Sequence, residues 1–481
     1  MLIRTVLLMA LAALGNSNPV VPVYDTIIVG MGASGCAAAS VLGKAGKNVL
    51  GLEAQNRIGG RVYTVPLGDG IVEVGAEWIH GERPNPVYDL ALQHNVTILS
   101  QNTNFIVYWS NGSIAEKGLI NDLLAVSVAA SLESTDQPEP VGQYVKKKIT
   151  DHITAHHPNL LNDKEFLDNF FHLVDLMMSG YEGSDNWNEL SSHSTYEDLE
   201  GDMHLSWNKN GFKTLFEILL NTYQGGPGYP TLTIQLEKEV TKITYPQDPA
   251  QEVVVTCKDG SIYKAKNVIV TVSLGVLKES YENLFSPELP QSKITAIKDI
   301  AMGLIGKIIL LFPNQWWDQD VSDAISFLWK EEDAKGLEDD WTYGIGGASR
   351  SMGNRNVVTL WSSGNITKTI EALPDDVVQS KAMGLIRRFM GKNKEIPEPI
   401  KMIKTDWFTN PYTRGTYSFS NIEPPQPSNI RDNLAEPLVD SSGAPRVLFA
   451  GEATNSIHFS TVNGAVESGF REGNRLVPAA A

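Results

Sequence analysis

The chain has 481 residues, a formal net charge of −17 and 42% hydrophobic residues. The hydrophobic share is that of an ordinary globular protein, and the length suits two intertwined domains of roughly 200 residues or more each. The acidic balance argues against nucleic acid or an anionic membrane as partner and favours small cations. The two cysteines, Cys36 and Cys257, build neither a disulfide framework nor a metal site, so no metal is expected.

The N-terminus reads as a secretory signal. Arg4 supplies the basic region, Val6 to Leu14 is an unbroken apolar run, and Ala13 with Gly15 suits cleavage before Asn16. That run is far short of the roughly 20 residues a bilayer demands, and no later segment is longer and as apolar. The chain ends without a peroxisomal SKL-type tripeptide. Residues 1–15 are therefore expected to be a signal peptide and the mature protein to be secreted. The sequons at Asn95, Asn111 and Asn365 suit a glycoprotein.

The next segment, Tyr24 to Thr64, forms one unit. Tyr24 to Val29 is a β-branched run that predicts a buried strand. Gly30-Met31-Gly32-Ala33-Ser34-Gly35 follows directly. Gly30 permits a tight turn, Gly32 lets the backbone approach a pyrophosphate, and Gly35 lets the following helix lie close to the sheet. Ala37, Ala38 and Ala39 keep that helix slim, and its N-terminus offers N–H groups and a positive dipole end to phosphate. Val49 to Leu52 is the second strand, and Glu53 closes it roughly 20 residues after Gly30, where a carboxylate accepts hydrogen bonds from a ribose. This order of strand, turn, helix, strand and acid predicts a dinucleotide site.

Further along, Asn121 to about Leu220 is helical in pattern, interrupted by a polar stretch from Gly183 to Asn210. Thr233 to Val240 and Val253 to Cys257 predict strands, with a hairpin turn at Asp259-Gly260. Asn267 to Val272 is a very apolar strand. Lys307 to Phe312 and Val357 to Trp361 predict strands, and Asp376 to Met390 a helix. Arg446 to Glu452 predicts a buried strand with an acid at its end, and Asn463 to Leu476 a last helix. Lys307 is conspicuous: on a strand of otherwise apolar residues its ammonium must be paired, snorkelling or functional.

Several of these segments carry a family resemblance. Arg57-Ile58-Gly59-Gly60-Arg61 resembles the segment that runs along the FAD pyrophosphate in the flavin-containing amine oxidases, a feature a nicotinamide domain does not need. Val240-Thr241-Lys242-Ile243, Val268 to Leu277, Gly451-Glu452-Ala453-Thr454 and Gly464-Ala465 resemble further motifs of that family. The resemblance implies an α/β fold: a discontinuous Rossmann-like FAD-binding domain over residues 24–105, 230–300 and 440–472, with an α+β substrate-binding domain over 106–229 and 301–439. It implies FAD contacts from Gly30, Gly32, Ser34, Gly35, Glu53, Arg61, Trp78, Val240, Trp407, Glu452, Thr461 and Ala465, with N–H groups near Gly464-Ala465 beneath the flavin pyrimidine.

Within the family the chain resembles the animal polyamine oxidases that act on spermine and N1-acetylpolyamines. Trp78-Ile79-His80-Gly81 resembles the mouth of their site, with His80 against the substrate amine. Glu189 to Ser194 resembles a loop in which a glutamate and a serine, here Glu189 and Ser191, hold the polyamine. Lys307 would hold a water against flavin N5, and Trp407 and Tyr417 would wall the site. Thr461 stands where plant enzymes carry a tyrosine and where monoamine oxidases attach FAD through cysteine, so the FAD is expected to be non-covalent. The resemblance implies hydride transfer from a carbon beside a secondary amine to flavin N5, with molecular oxygen as final acceptor. An oxidase of monoamines, or of L-amino acids with Arg414 as carboxylate clamp, stays open, as does a catalytically silent FAD-binding paralogue.

Overall fold

The computed structural model describes residues 22–101, 105–317, 323–337, 339–392 and 394–477. The expected signal segment lies outside them. Three sheets matter for the site, and the largest has nine strands. At its centre Val23–Val29 pairs in parallel with Val49–Leu52 on one side and with Ile262–Val270 on the other. Leu232–Gln235 extends the sheet beyond Val49–Leu52, and Pro445–Phe449 joins in parallel to the end of Ile262–Val270. Strands from three distant stretches of chain thus share one sheet. The ends of these strands nearest the site are apolar, and Ile27, Leu50, Val268 and Val447 are fully buried.

The helix after the glycine turn, Ala33–Lys44, crosses the last helix, Val462–Arg475. A Cβ on Gly469 would come within 2.2 Å of the Ser34 carbonyl oxygen and 2.8 Å of Ala37 Cβ. The alanine run therefore serves this helix–helix crossing as well as the sheet. One sequence expectation is corrected nearby. The strand expected over Thr233 to Val240 is two strands, Leu232–Gln235 and Val240–Thr244. Between them Glu237 adopts a φ of +57°, and the N–H groups of Glu237 and Lys238 turn to the Gln55 and Glu53 carbonyls. The chain leaves the ladder there in order to wrap the end of the Glu53 strand.

A six-stranded sheet runs in the order Lys401–Lys404, Ile305–Leu311, Asn354–Ser363, Gly347–Ser351, Ala324–Leu328, Phe105–Trp109. Its register sets Lys307 opposite Trp361. A three-stranded sheet joins Trp78–Ile79 to Leu205–Ser206 and Leu99–Ser100. The helical region expected from Asn121 contains Lys117–Ser131, Val141–His156 and Lys164–Glu182, and the last of these stops at Gly183, whose φ is +78°. Glycine at that left-handed position ends the helix at low cost. Among the described residues no helix is long and apolar enough to cross a membrane.

Candidate active site

Gly30 takes a φ of +95°, and a Cβ there would meet Thr271 Oγ1 at 2.8 Å. A Cβ on Gly35 would meet the Gly30 carbonyl oxygen at 2.0 Å. Gly32 is different: a Cβ there would find nothing nearer than the Gly59 carbonyl oxygen at 3.9 Å. Gly32 also caps the helix without any side-chain hydrogen bond, so the first-turn N–H groups remain for an anion.

The Gly-Gly of the second motif lies beside this turn. Gly59 N–H donates to the Met31 carbonyl at 2.8 Å, and Gly59 and Gly60 both take positive φ, +104° and +57°. Arg57 bends into its own loop, donating to the Ile58 and Gly60 carbonyls and stacking 3.9 Å over the Tyr63 ring. Arg61 instead reaches Glu452, with Nη1 3.0 Å from Oε1. Glu53 is buried. Its Oε2 accepts from Met31 N–H at 2.8 Å and its Oε1 from Gln55 N–H at 2.9 Å. A carboxylate has about four acceptor positions, so two are left for ribose hydroxyls.

Glu452 closes the other end. Burial pushes its carboxyl up, but Arg61 and Arg431, with the Ser418 hydroxyl, outweigh that and hold it below the usual range. Thr461 caps the last helix: its Oγ1 accepts from Gly464 N–H at 3.0 Å, and its carbonyl accepts from Ala465 N–H at 3.1 Å. Those two N–H groups, placed by the sequence beneath a flavin pyrimidine, are thus already used. The groups left for a ligand at this N-terminus are the preceding ones, at Val462 and Asn463.

These residues open into one cavity of about 1240 Å³. That exceeds the roughly 300–1,000 Å³ of a drug-sized site and leaves room for a dinucleotide and a substrate together. Gly30, Gly32, Ser34, Glu53, Val240 and Glu452 line it, and so do Trp78, His80, Lys307, Trp407, Tyr417 and Thr461. Ser191 and Ala465 also line it. The exposed backbone at Gly32, the buried acid at Glu53 and this volume fit FAD.

Lys307 is 4% exposed. Its Nζ donates to the Glu73 carbonyl, the Gly75 carbonyl and Glu77 Oε2, each at 2.9 Å, and stands 4.4 Å over the Trp361 ring. An ammonium has three protons, and all three are used. The lysine is therefore paired, and a water held by it must share or displace one of these bonds. Trp361 in turn stacks on Trp78, with centroids 5.6 Å apart and planes at 19°. Glu77 immediately precedes Trp78, and the need of a buried lysine for a partner is the sequence signal that points to it.

His80 is held by a 2.8 Å hydrogen bond between Nδ1 and the Met203 carbonyl. Nδ1 is the donor, so neutral His80 turns Nε2 outward as an acceptor. Burial lowers its pKa to about 4, and it stays neutral at physiological pH. Tyr417 donates its hydroxyl to the Tyr181 carbonyl at 2.8 Å, and burial, with Glu182 and Glu452 nearby, pushes its phenol up.

Glu189 is not among the cavity-lining residues. It is half-buried, and its Oε2 accepts from Asp185 N–H at 3.1 Å. Ser191 reaches the cavity, but its hydroxyl donates to the His193 carbonyl at 3.0 Å. Two acids that do line the chamber are Glu182, near Tyr417, and Asp198, near Glu182 and Tyr196. Burial, with a smaller contribution from Asp198, raises Glu182 to about 7 against the opposing pull of Arg431. Burial likewise raises Asp198. Glu182 is the last residue of its helix, with no motif around it to single it out. Arg414, the candidate carboxylate clamp, is bidentate to Glu279 at 2.6 and 3.1 Å, so its fork is occupied.

Residues 33–477 match the flavin containing amine oxidoreductase family, and the chain belongs to that family. The chain is an FAD-dependent amine oxidase. It is 31% identical to the peroxisomal N(1)-acetyl-spermine/spermidine oxidase of Homo sapiens over 500 residues, which cover 94% of each chain. The lysine-specific histone demethylase 1 homolog 2 of Oryza sativa subsp. japonica is 29% identical over 95% of this chain and 57% of its own. Among solved structures, a putrescine oxidase double mutant with redesigned cofactor binding superposes with a TM-score of 0.64, covering 94% of this chain and 99% of that one at 16% identity. At that identity the likeness shows the amine oxidase fold alone.

Proposed function

We propose that this chain is a secreted polyamine oxidase acting on a secondary amine of spermine, spermidine or their N1-acetyl forms. The observation that carries this reading is the chamber itself. One continuous cavity runs from the glycine turn to an aromatic region lined by Glu182 and Asp198, acids whose pKa values burial raises. A polycationic chain entering it would supply the countercharge that lets these buried acids ionise. An amino acid would bring a carboxylate instead, and Arg414 is already committed to Glu279.

Bound FAD would accept two electrons at N5 as hydride from the carbon beside the reacting amine. That amine must first be neutral. His80, at about 4, is too weak a base to keep the proton but can orient the amine through Nε2. Glu182, at about 7, is matched to accept a proton near neutral pH. Trp78, Trp407 and Tyr417 would wall the reacting carbon and exclude water. The imine formed would hydrolyse to an aldehyde and a shorter amine, and oxygen would take the two electrons as hydrogen peroxide. We propose that the FAD is non-covalent. Cys36 and Cys257 are both buried, and neither lines the cavity.

A peroxide-coupled panel of spermine, spermidine, their N1-acetyl forms, monoamines and L-amino acids tests the substrate class. Turnover of a polyamine at least tenfold faster than any monoamine or amino acid supports the proposal. Turnover confined to amino acids or monoamines contradicts it, and no peroxide with any amine would favour the silent paralogue. Secretion rests on the apolar run Val6 to Leu14. Expressed full-length, the chain should enter the medium beginning near Asn16, and retention in the cytosol with residues 1–15 intact refutes that part.

A further inference from the structure

Outside the cavity, helices Lys117–Ser131 and Val141–His156 lie antiparallel. Glu133, just beyond the first, meets Lys148 at 2.6 Å, while Asp122 near its start meets the far end of the second. There the sequence reads His152-Ile153-Thr154-Ala155-His156-His157. His152 Nε2 lies 2.7 Å and His157 Nε2 2.8 Å from the same Asp122 Oδ2. The three ligand-type atoms all lie within 4.8 Å of one another. His156 stands one helical turn after His152, with ring centroids 4.5 Å apart. The proposed amine oxidation uses none of these side chains.

Two imidazole nitrogens and a carboxylate oxygen are a zinc donor set, whereas calcium and magnesium take oxygen ligands. Zinc binds nitrogen at about 2.0–2.1 Å and oxygen at about 2.0–2.2 Å, so tetrahedral neighbours sit roughly 3.3–3.4 Å apart. The present hydrogen-bonded spacing must therefore open by about half an ångström when an ion takes the place of the two N–H protons. The side chains have that freedom: His152 is 21%, His157 35% and Asp122 43% exposed.

We propose that Asp122, His152 and His157 form a zinc-binding site, with His156 placed as a candidate fourth ligand. The ion would clip the far ends of a helix pair whose near ends, at Val128, Ser131 and Val141, line the cavity.

The test uses tag-free holoenzyme, stripped with chelator, then titrated calorimetrically with zinc chloride and analysed for bound metal after desalting. Wild type should bind about one zinc per chain at micromolar or tighter Kd and melt at higher temperature with zinc present. His152→Gln/His157→Gln keeps amide donors facing Asp122 but removes both imidazoles. It should bind at least about tenfold more weakly and lose the zinc-dependent rise in melting temperature. Without zinc, its flavin content and amine turnover should equal those of wild type. Zinc binding unchanged in the double variant, or no wild-type binding below about 0.1 mM, overturns the proposal.

Discussion

Replacing Lys307 by methionine keeps length and apolar character, and the sequence alone suggests that fold and FAD binding would tolerate it. The structure argues otherwise. The substitution strands the Glu77 carboxylate, whose side chain is 10% exposed, and leaves the Glu73 and Gly75 carbonyls without the ammonium that both now accept from. Removing one partner of a buried pair costs about 3–5 kcal/mol, and each orphaned carbonyl contributes toward that through desolvation of about 1–3 kcal/mol. Lys307→Met should therefore lower unfolding stability by about 3–5 kcal/mol. Glu77→Gln added to it removes the stranded charge and should restore at least about 1 kcal/mol, a non-additivity expected of residues in contact. Denaturant titrations of wild type, both single variants and the double variant, all in the apo form, give the cycle. Variant rates must be normalised to bound flavin; on that basis, flavin reduction by amine or its reoxidation by oxygen should slow at least tenfold, about 1.4 kcal/mol in barrier. Lys307→Met within about 0.5 kcal/mol of wild type, with additive substitutions, refutes the pairing.

Other expectations follow from the same geometry. Gly32→Ala has room and an ordinary φ of −77°, so the apo protein should melt as wild type while FAD content falls; Gly35→Ala meets a backbone oxygen at 2.0 Å and should also destabilise the apo fold. Equal apo melting of the two variants would contradict this. Glu182 is raised to about 7, so the folded state favours its protonated form, and stability falls as pH climbs from the ordinary carboxyl range through about 7. Glu182→Gln should thus match wild-type melting at low pH and exceed it near pH 8. In the same variant KM for a polyamine should lose its fall as pH rises through about 7, and a wild-type KM profile in Glu182→Gln refutes the assignment. Acid precipitation should release all flavin as free FAD, and yellow colour left on the washed protein would contradict non-covalent binding.

The dinucleotide turn was legible because its logic is local. Gly30 to Glu53 is consecutive turn, helix and strand, in which Gly30 answers to a positive φ, Gly35 to a clash with the Gly30 carbonyl oxygen, and Gly32 to open backbone. The α/β reading holds for the same reason. What was not legible lies in long-range pairing. The partners of Lys307 lie on a segment more than two hundred residues earlier, and only the folded sheets bring Glu73, Gly75, Glu77 and Trp361 around one ammonium. Glu189 stands out only through a short motif match, whereas Glu182 reaches the cavity at the point where Gly183 ends its helix. The split of the strand expected over Thr233 to Val240 had no local signal either, since it arises from hydrogen bonds back to Glu53 and Gln55.

The central claim is that a polycationic amine delivers electrons to FAD in the chamber lined by Glu182 and His80. Anaerobic stopped-flow mixing of the holoenzyme with spermine, N1-acetylspermine or an L-amino acid, followed through loss of oxidised-flavin absorbance, tests it most directly. The account expects complete bleaching by at least one polyamine, with a saturating rate that Glu182→Gln weakens both in affinity and in its limiting value. Flavin that stays oxidised with every polyamine yet bleaches with an amino acid would contradict it.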